Sequence, residues 1–384
     1  MSAAPAPNGF RLDVVRSIAE LAPAAWDAVG ASDDLQATHR FVRACEESGV
    51  EHATYRHAIA WDAEGPAAVA SFSRMPVSLD LLTSGFARSA IRAARRVRPA
   101  FLRVPLVFGG LPVSFGRSCL RLRPGADAGL ILAAFHDVAE QFAAETDARM
   151  VCFKEFDAAE TERLRPLAER GYVRARSLPS CRLPLRWRTF DDYVAAMRAG
   201  YRRQILATLR ARGRTGVVVR VADDWLAECP RIFALYEQVM DRAPFQLERL
   251  NLAFFEKLAT VLRGETRAIL VERDGAPAAA AVMLFSPNLA TWLLAGIDYA
   301  ANQECHAYLN LIAEVVRQAI ASGTPALEMG QTSYDLKGRM GAVAAPRTLL
   351  LRYRSGVGQA LLRAGCDILF PAADIRPRRV FRTG

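Results

Sequence analysis

Lysine is a rare choice in this sequence. The 50 basic residues include only three lysines, Lys154, Lys257 and Lys337, and arginine fills the remaining places. The two are not interchangeable, because lysine is a compact charge whose pKa falls on burial while a guanidinium stays charged. Lys337 stands in the run Leu327-Glu328-Met329-Gly330-Gln331-Thr332-Ser333-Tyr334-Asp335-Leu336-Lys337-Gly338-Arg339-Met340-Gly341. A short apolar stretch there feeds a polar loop and then a turn with two glycines. Polar groups gathered just past a strand end are a common way for an α/β fold to build a site. Gln331, Thr332, Ser333 and Tyr334 can each donate a hydrogen bond to a substrate, and Lys337 can hold a phosphate or carboxylate or stabilise a developing oxyanion. The plainer reading of the same turn is an ion pair between Asp335 and Arg339. Upstream, Asp298 follows the apolar run Trp292–Ile297, where it can act as a base, hold an ammonium group or cap the next helix. His306 opens the helical pattern that follows and can titrate near neutral pH.

The elements that must position these residues occur twice. Ala58–Ala70 and Ala268–Ala280 both read as strand, turn, strand, with Gly65 and Gly275 in their turns. Further on, Ile131, Phe135, Val138 and Phe142 share one helical face, as do Tyr308, Leu311, Ile312, Val315 and Ala319. Each helix precedes an apolar strand, Met150–Phe153 and Ala326–Met329. The hairpins are 210 positions apart and the strands 178, so the first half carries an insertion of about 32 residues between hairpin and helix. The insertion is basic, with Arg88, Arg92, Arg95 and Arg96 and no acid between Phe86 and Arg103. A basic helix is also predicted from near Thr189 to Gly213, its arginines, Arg202 and Arg203 among them, placed to grip phosphates or simply to face solvent.

Helix, strand, polar Gly-rich loop, lysine and glycine over 306–341 resemble the closing motif of the Fem-type and related GNAT-like N-acyltransferases. Leu336 and Met340 stand where that family usually has aromatics. The resemblance implies an α/β fold of two GNAT-like domains in tandem, each a mixed, mostly antiparallel twisted sheet flanked by helices. The expected division is 1–185, with the basic insertion at about 79–103, and 186–384. It implies acyl transfer to an amine, with catalytic roles for Tyr334, Lys337, Asp298 and His306. Gln331, Thr332, Ser333, Arg339, Arg202 and Arg203 are then the substrate-binding candidates. The cosubstrate is acyl-CoA or an acyl-carrier thioester, and the partner an amine-bearing acceptor. Nucleic acid enters only if the donor is tRNA. CoA-using GNAT domains carry a Gly-rich pyrophosphate loop after the central strand, whereas Tyr299–Glu304 contains no glycine, which leaves the donor open. The active cleft is expected in the second half, because Lys154-Glu155-Phe156-Asp157 lacks the Lys-Gly-x-x-Gly turn.

Composition bounds these readings. A hydrophobic content of 52% with 23% charged residues describes a folded protein, and no apolar run is long enough to span a membrane. The ending Met1–Gly9 lacks the features of a signal peptide. Seven scattered cysteines form no CxxC pair, so reduced thiols in a cytoplasmic protein are expected, and no metal. A net charge of +10 favours acidic partners. One such partner is an anionic membrane surface met through Arg88, Arg92, Arg95 and Arg96, which would make the protein peripheral. A catalytically inactive, membrane-associated scaffold is the alternative to an enzyme. Neither a Gly-x-Ser-x-Gly elbow nor a Walker-type loop is present.

Overall fold

The computed structural model describes residues 10–29, 34–78, 103–113, 115–243 and 247–382. Most of the Arg-rich insertion, including Arg88, Arg92, Arg95 and Arg96, lies outside the described residues.

Both expected hairpins form. β1 (Arg11–Val15) pairs with β2 (Thr54–Asp62), which turns back into β3 (Gly65–Ser78). β3 is followed by β4 (Arg103–Gly109), β5 (Arg121–Leu122), β6 (Met150–Phe156) and β7 (Val173–Pro184). The second half runs β8 (Val217–Ala222), β9 (Thr266–Arg273), β10 (Ala276–Ser286), β11 (Leu289–Ile297), β12 (Ala326–Glu328) and β13 (Val343–Tyr353). Asp274 and Gly275, between β9 and β10, take φ of 50° and 81°. A two-residue hairpin turn whose twist matches its strands requires positive φ at both positions.

Among the described residues one sheet runs β1-β2-β3-β4-β6-β13-β7-β12-β11-β10-β9-β8, with β5 against β3. Its middle is an exchange. β13, from the end of the chain, lies between β6 and β7, while β7, from the first half, lies between β13 and β12. Each half completes its sheet with a strand of the other, so the two GNAT-like halves share a continuous hydrogen-bonded ladder.

Helices cover the faces. Helix Ala128–Glu145 buries Ile131, Phe135, Val138 and Phe142, and helix Ala307–Ala321 buries Leu311, Ile312, Val315 and Ala319. These are the stripes that the 3.6-residue period marks out. All seven cysteines are free and buried. No helix among the described residues is long and apolar enough to cross a membrane.

Two local expectations need correction. The helix predicted from Thr189 to Gly213 is two helices, Phe190–Ala196 and Ala199–Thr215. Met197 between them is extended (φ −71°, ψ 151°), fully buried and bridged to Phe381, and the Arg198 N–H donates to the Val380 carbonyl at 2.9 Å. Pairing with the distant C-terminal segment overrides the local helical preference. The Lys-Gly-Arg-Met-Gly turn is likewise largely helical, because Tyr334–Arg339 forms a short helix.

Candidate active site

The two parallel strand pairs of the sheet set the site. β11 and β12 are paired only at Ala290 with Leu327 and Thr291 with Glu328. From Trp292 to Ile297 the β11 edge on that side has no strand partner among the described residues. A sheet edge of this kind leaves backbone donors and acceptors available to a ligand. The Trp292 indole satisfies one of these groups, donating to the Leu294 carbonyl at 2.8 Å.

This edge opens on a cavity of about 800 Å³, a volume suited to a small-molecule ligand. The cavity is not confined to the second half. Lys154 and Glu155 of β6 line it together with Gln331, Thr332, Ser333 and Lys337. The strand exchange brings β6 next to β13, and a bulge then aims its side chains. Between Thr348 paired with Phe156 and Leu350 paired with Phe153, β6 holds one extra residue, and Glu155 takes φ 70°. Bulges of this kind redirect side chains at sheet sites.

The polar loop is lashed to β7. Gln331 Nε2 donates to the Leu178 carbonyl at 2.7 Å and to Glu155 Oε2 at 3.0 Å, and Ser177 Oγ donates to Glu155 Oε1 at 3.1 Å. Lys337 is buried, and its Nζ donates to the carbonyls of Gln331 (2.7 Å) and Gly330 (3.3 Å). Burial lowers its pKa to about 8. Lys337 therefore braces the loop that carries Thr332 and Ser333, which have positive φ of 66° and 49° and are exposed. Tyr334 Oη donates to the Pro179 carbonyl at 2.9 Å, and burial raises its pKa to about 12. Its place is behind the loop, not among the cavity-lining residues.

The other sequence candidates lie off the cavity. Asp298 caps helix Tyr299–Cys305, accepting from the N–H groups of Ala300 and Ala301 at 2.9 and 3.0 Å. His306 is exposed at the junction with the next helix, with φ 52°. Arg339 pairs with Asp335 at 2.9 Å, as the plainer reading of the turn expects. Arg202 Nη1 reaches the carbonyls of Ala195 and Met197 at 3.4 Å each, and Arg203 is exposed.

Lys154, Glu248 and Tyr308 are among the cavity-wall residues that escaped the sequence reading of the site. Lys154 is 1% exposed, with Nζ 3.3 Å from the Pro112 carbonyl and 4.9 Å from the centroid of the Phe108 ring. Its rarity as a lysine was the available clue. Glu248 lies between helices Cys229–Arg242 and Leu252–Val261, and burial raises its pKa to about 7, against the pull of the Lys154 ammonium. A lone acid in a loop carries no pattern that could mark it. Tyr308, beside Ser333, has its hydroxyl raised to about 12 by burial.

A CoA pyrophosphate would need free amides at a helix N-terminus next to the site. The helix after β11 offers its first amides to the Asp298 carboxylate, and helix Ala128–Glu145 is capped in the same way by Asp127, at 3.0 Å from the Leu130 N–H. An anion already sits at each end, so these residues do not fit that group. Among the described residues no cluster of His, Cys, Asp or Glu could hold a metal.

Comparisons with known proteins agree with this architecture. Residues 186–338 match the acetyltransferase (GNAT) domain family. Over 329 residues, 82% of this chain, the sequence is 24% identical to a putative 8-amino-7-oxononanoate synthase 2 of Mycobacterium tuberculosis, and the chain spans about two fifths (41%) of that relative's length. The crystal structure of FemX superposes with a TM-score of 0.58 at 11% identity, covering 91% of this chain and 100% of FemX. The C-terminal domain of a putative lysylphosphatidylglycerol synthetase from Agrobacterium fabrum gives 0.54 at 13% identity, covering 94% and 100%. Residues 186–338 thus match the GNAT acetyltransferase domain family, and the chain as a whole has a tandem GNAT-like fold of the kind seen in FemX.

Proposed function

We propose that this protein is an N-acyltransferase that moves an acyl group from a thioester to an amine within the cavity between its halves. One observation carries the reading: the unpaired edge of β11 and the carboxyl of Glu248, with its pKa near 7, line the same cavity. Backbone N–H groups along Trp292–Ile297 polarise the thioester carbonyl and stabilise the oxyanion that forms on it. Glu248 accepts a proton from the attacking amine as the C–N bond forms, and a base with pKa near the working pH suits that step. The C–S bond then breaks, and the leaving thiolate takes the proton that Glu248 has received, which restores the carboxylate. Lys337, Gln331 and Glu155 act through the loop, holding Thr332 and Ser333 toward the acceptor.

The two Asp-capped helix ends favour a thioester whose recognition does not depend on a pyrophosphate, such as one borne on an acyl carrier, over acyl-CoA. The same observation supports a second reading, transfer from an aminoacyl ester of tRNA, which the net charge of +10 also suits. The experiment is to incubate the purified protein with acyl-CoA, acyl-carrier and aminoacyl-tRNA pools and a set of amines, detecting amide products by mass. Products from the acyl-carrier pool that survive ribonuclease and vanish in Glu248→Gln support the first reading. Products lost with ribonuclease support the second. Absence of any amide product in all pools sinks both.

A further inference from the structure

The wall opposite the polar loop is a different surface. Met150, Cys152 and Lys154 alternate along β6, so their side chains share one face of the strand. The parallel register sets Leu106 beside Met150 and Phe108 beside Cys152, and the antiparallel register sets Leu351 beside Cys152. β3 adds Val77 next to them. All six residues named here other than Lys154 line the cavity and carry no charge. The floor therefore runs for about 13 Å from the charged Lys154 to Met150, at about 3.3 Å per residue, and is apolar until its last position. Leu369 and Phe370, at the end of helix Gly356–Leu369, line the same space.

Val77, Leu106, Phe108, Cys152 and Leu351 belong to one hydrophobic cluster of the described residues, with Met150 and Phe370 packed against it, and the cavity runs along that cluster. A cavity end lined by apolar side chains suits an apolar occupant, because burying methylenes there removes them from water. A small acyl group such as acetyl would need only the polar end, beside β11 and Lys154.

We infer that the apolar end of the cavity is an acyl-chain chamber, and that the donor carries a medium-length or longer aliphatic acyl group with its carbonyl at β11 and its tail running over Cys152 toward Met150. The inference rests on the transferase reading for the identity of the chain as the donor's. Its binding signature can be measured without turnover.

The test uses N-acetylcysteamine thioesters of acetyl, butyryl, octanoyl and decanoyl groups, which need neither CoA nor carrier recognition, titrated into the full chain by calorimetry. Alkylamines of matching length form the second arm. Each buried methylene strengthens binding by roughly fourfold at most, so octanoyl should bind about a hundredfold or more tighter than acetyl. Leu106→Trp, which fills the floor, should bring that ratio below about tenfold. Should this variant fail to fold by thermal unfolding, the chain-length series on the unaltered protein decides alone. Equal affinity from acetyl to decanoyl overturns the chamber. Affinity that grows with length for the amines and not for the thioesters places the chain on the acceptor and overturns the assignment to the donor. Length-dependent thioester binding without amide formation from any donor would sink the transferase reading and leave the chamber standing.

Discussion

The two parallel strand pairs at the centre of the sheet come from equivalent parts of the two halves and end differently. β4 and β6 stay paired over four positions, from Leu106 with Met150 to Gly109 with Phe153. β11 and β12 part after two. In the first half the Phe153 ring packs into the space a side chain at Gly109 would occupy. In the second half the corresponding support comes from behind, where Gly296 lies against the backbone of Leu235 and Tyr236 in helix Cys229–Arg242. A pair zipped to its end leaves no backbone groups free between its strands, and a pair that opens exposes donors to the cavity. The same unit takes both forms, and the difference rests on a few residues.

The sharpest way to break this comparison is to exchange the charge of the two cavity carboxyls for amides. Glu248→Gln should lower turnover by about a hundredfold, the usual worth of a positioned general base. Glu155→Gln, whose partners Ser177 and Gln331 hold it in place, should cost less than about fivefold, because a positioning residue acts through the loop. pH adds a second readout. Glu248 keeps its proton up to about pH 7 when folded, well above the ordinary range of a glutamate carboxyl near 4.5. Between those values the folded state binds more protons than the unfolded state, so stability falls as pH rises through the window. Activity should rise over the same range as the base form appears. Both trends should flatten in Glu248→Gln, and a rate profile unchanged by the substitution would remove Glu248 from the mechanism.

Next in size are the two glycines. Gly296→Ala drives a methyl into helix backbone and should cost about 3 kcal/mol, read by denaturant unfolding. Gly109→Ala meets only a side chain and should cost about half as much. A reversed order would show that the second half does not depend on close approach of that helix.

The buried lysines give a smaller contrast. Lys337→Met strips donors from two carbonyls and should cost about 2 kcal/mol, whereas Lys154→Met removes one long bond and should cost about 1 kcal/mol. Tyr334→Phe closes the series. Loss of its single bond to the Pro179 carbonyl should cost about 1 kcal/mol and change turnover little. A loss of more than tenfold in turnover with an intact fold would return Tyr334 to a direct chemical role.

Much of the layout was legible before any coordinates. Hairpins announced by Asp-Gly and Glu-Gly, and helices striped by Phe135 or Leu311 with their neighbours, are local patterns whose period follows from backbone geometry. Lys337 could be singled out because lysine is rare here, although its bracing role could not. Asp298, His306 and Arg339 were plausible by residue type alone. Type does not reveal which way a side chain faces once a helix cap or an i,i+4 ion pair has claimed it.

The sequence by itself determined the elements, their duplication and their resemblance to GNAT-like transferases, because periodicity and turn chemistry act over a few residues. Tertiary structure alone decided that β7 and β13 change places, that a bulge at Glu155 turns β6 into the cavity, and that Glu248 faces Lys154 from 94 positions away. Strand pairing is fixed by competition among edges distant in the chain. The pKa of a carboxyl is fixed by how much water the assembled walls exclude, which no local pattern encodes.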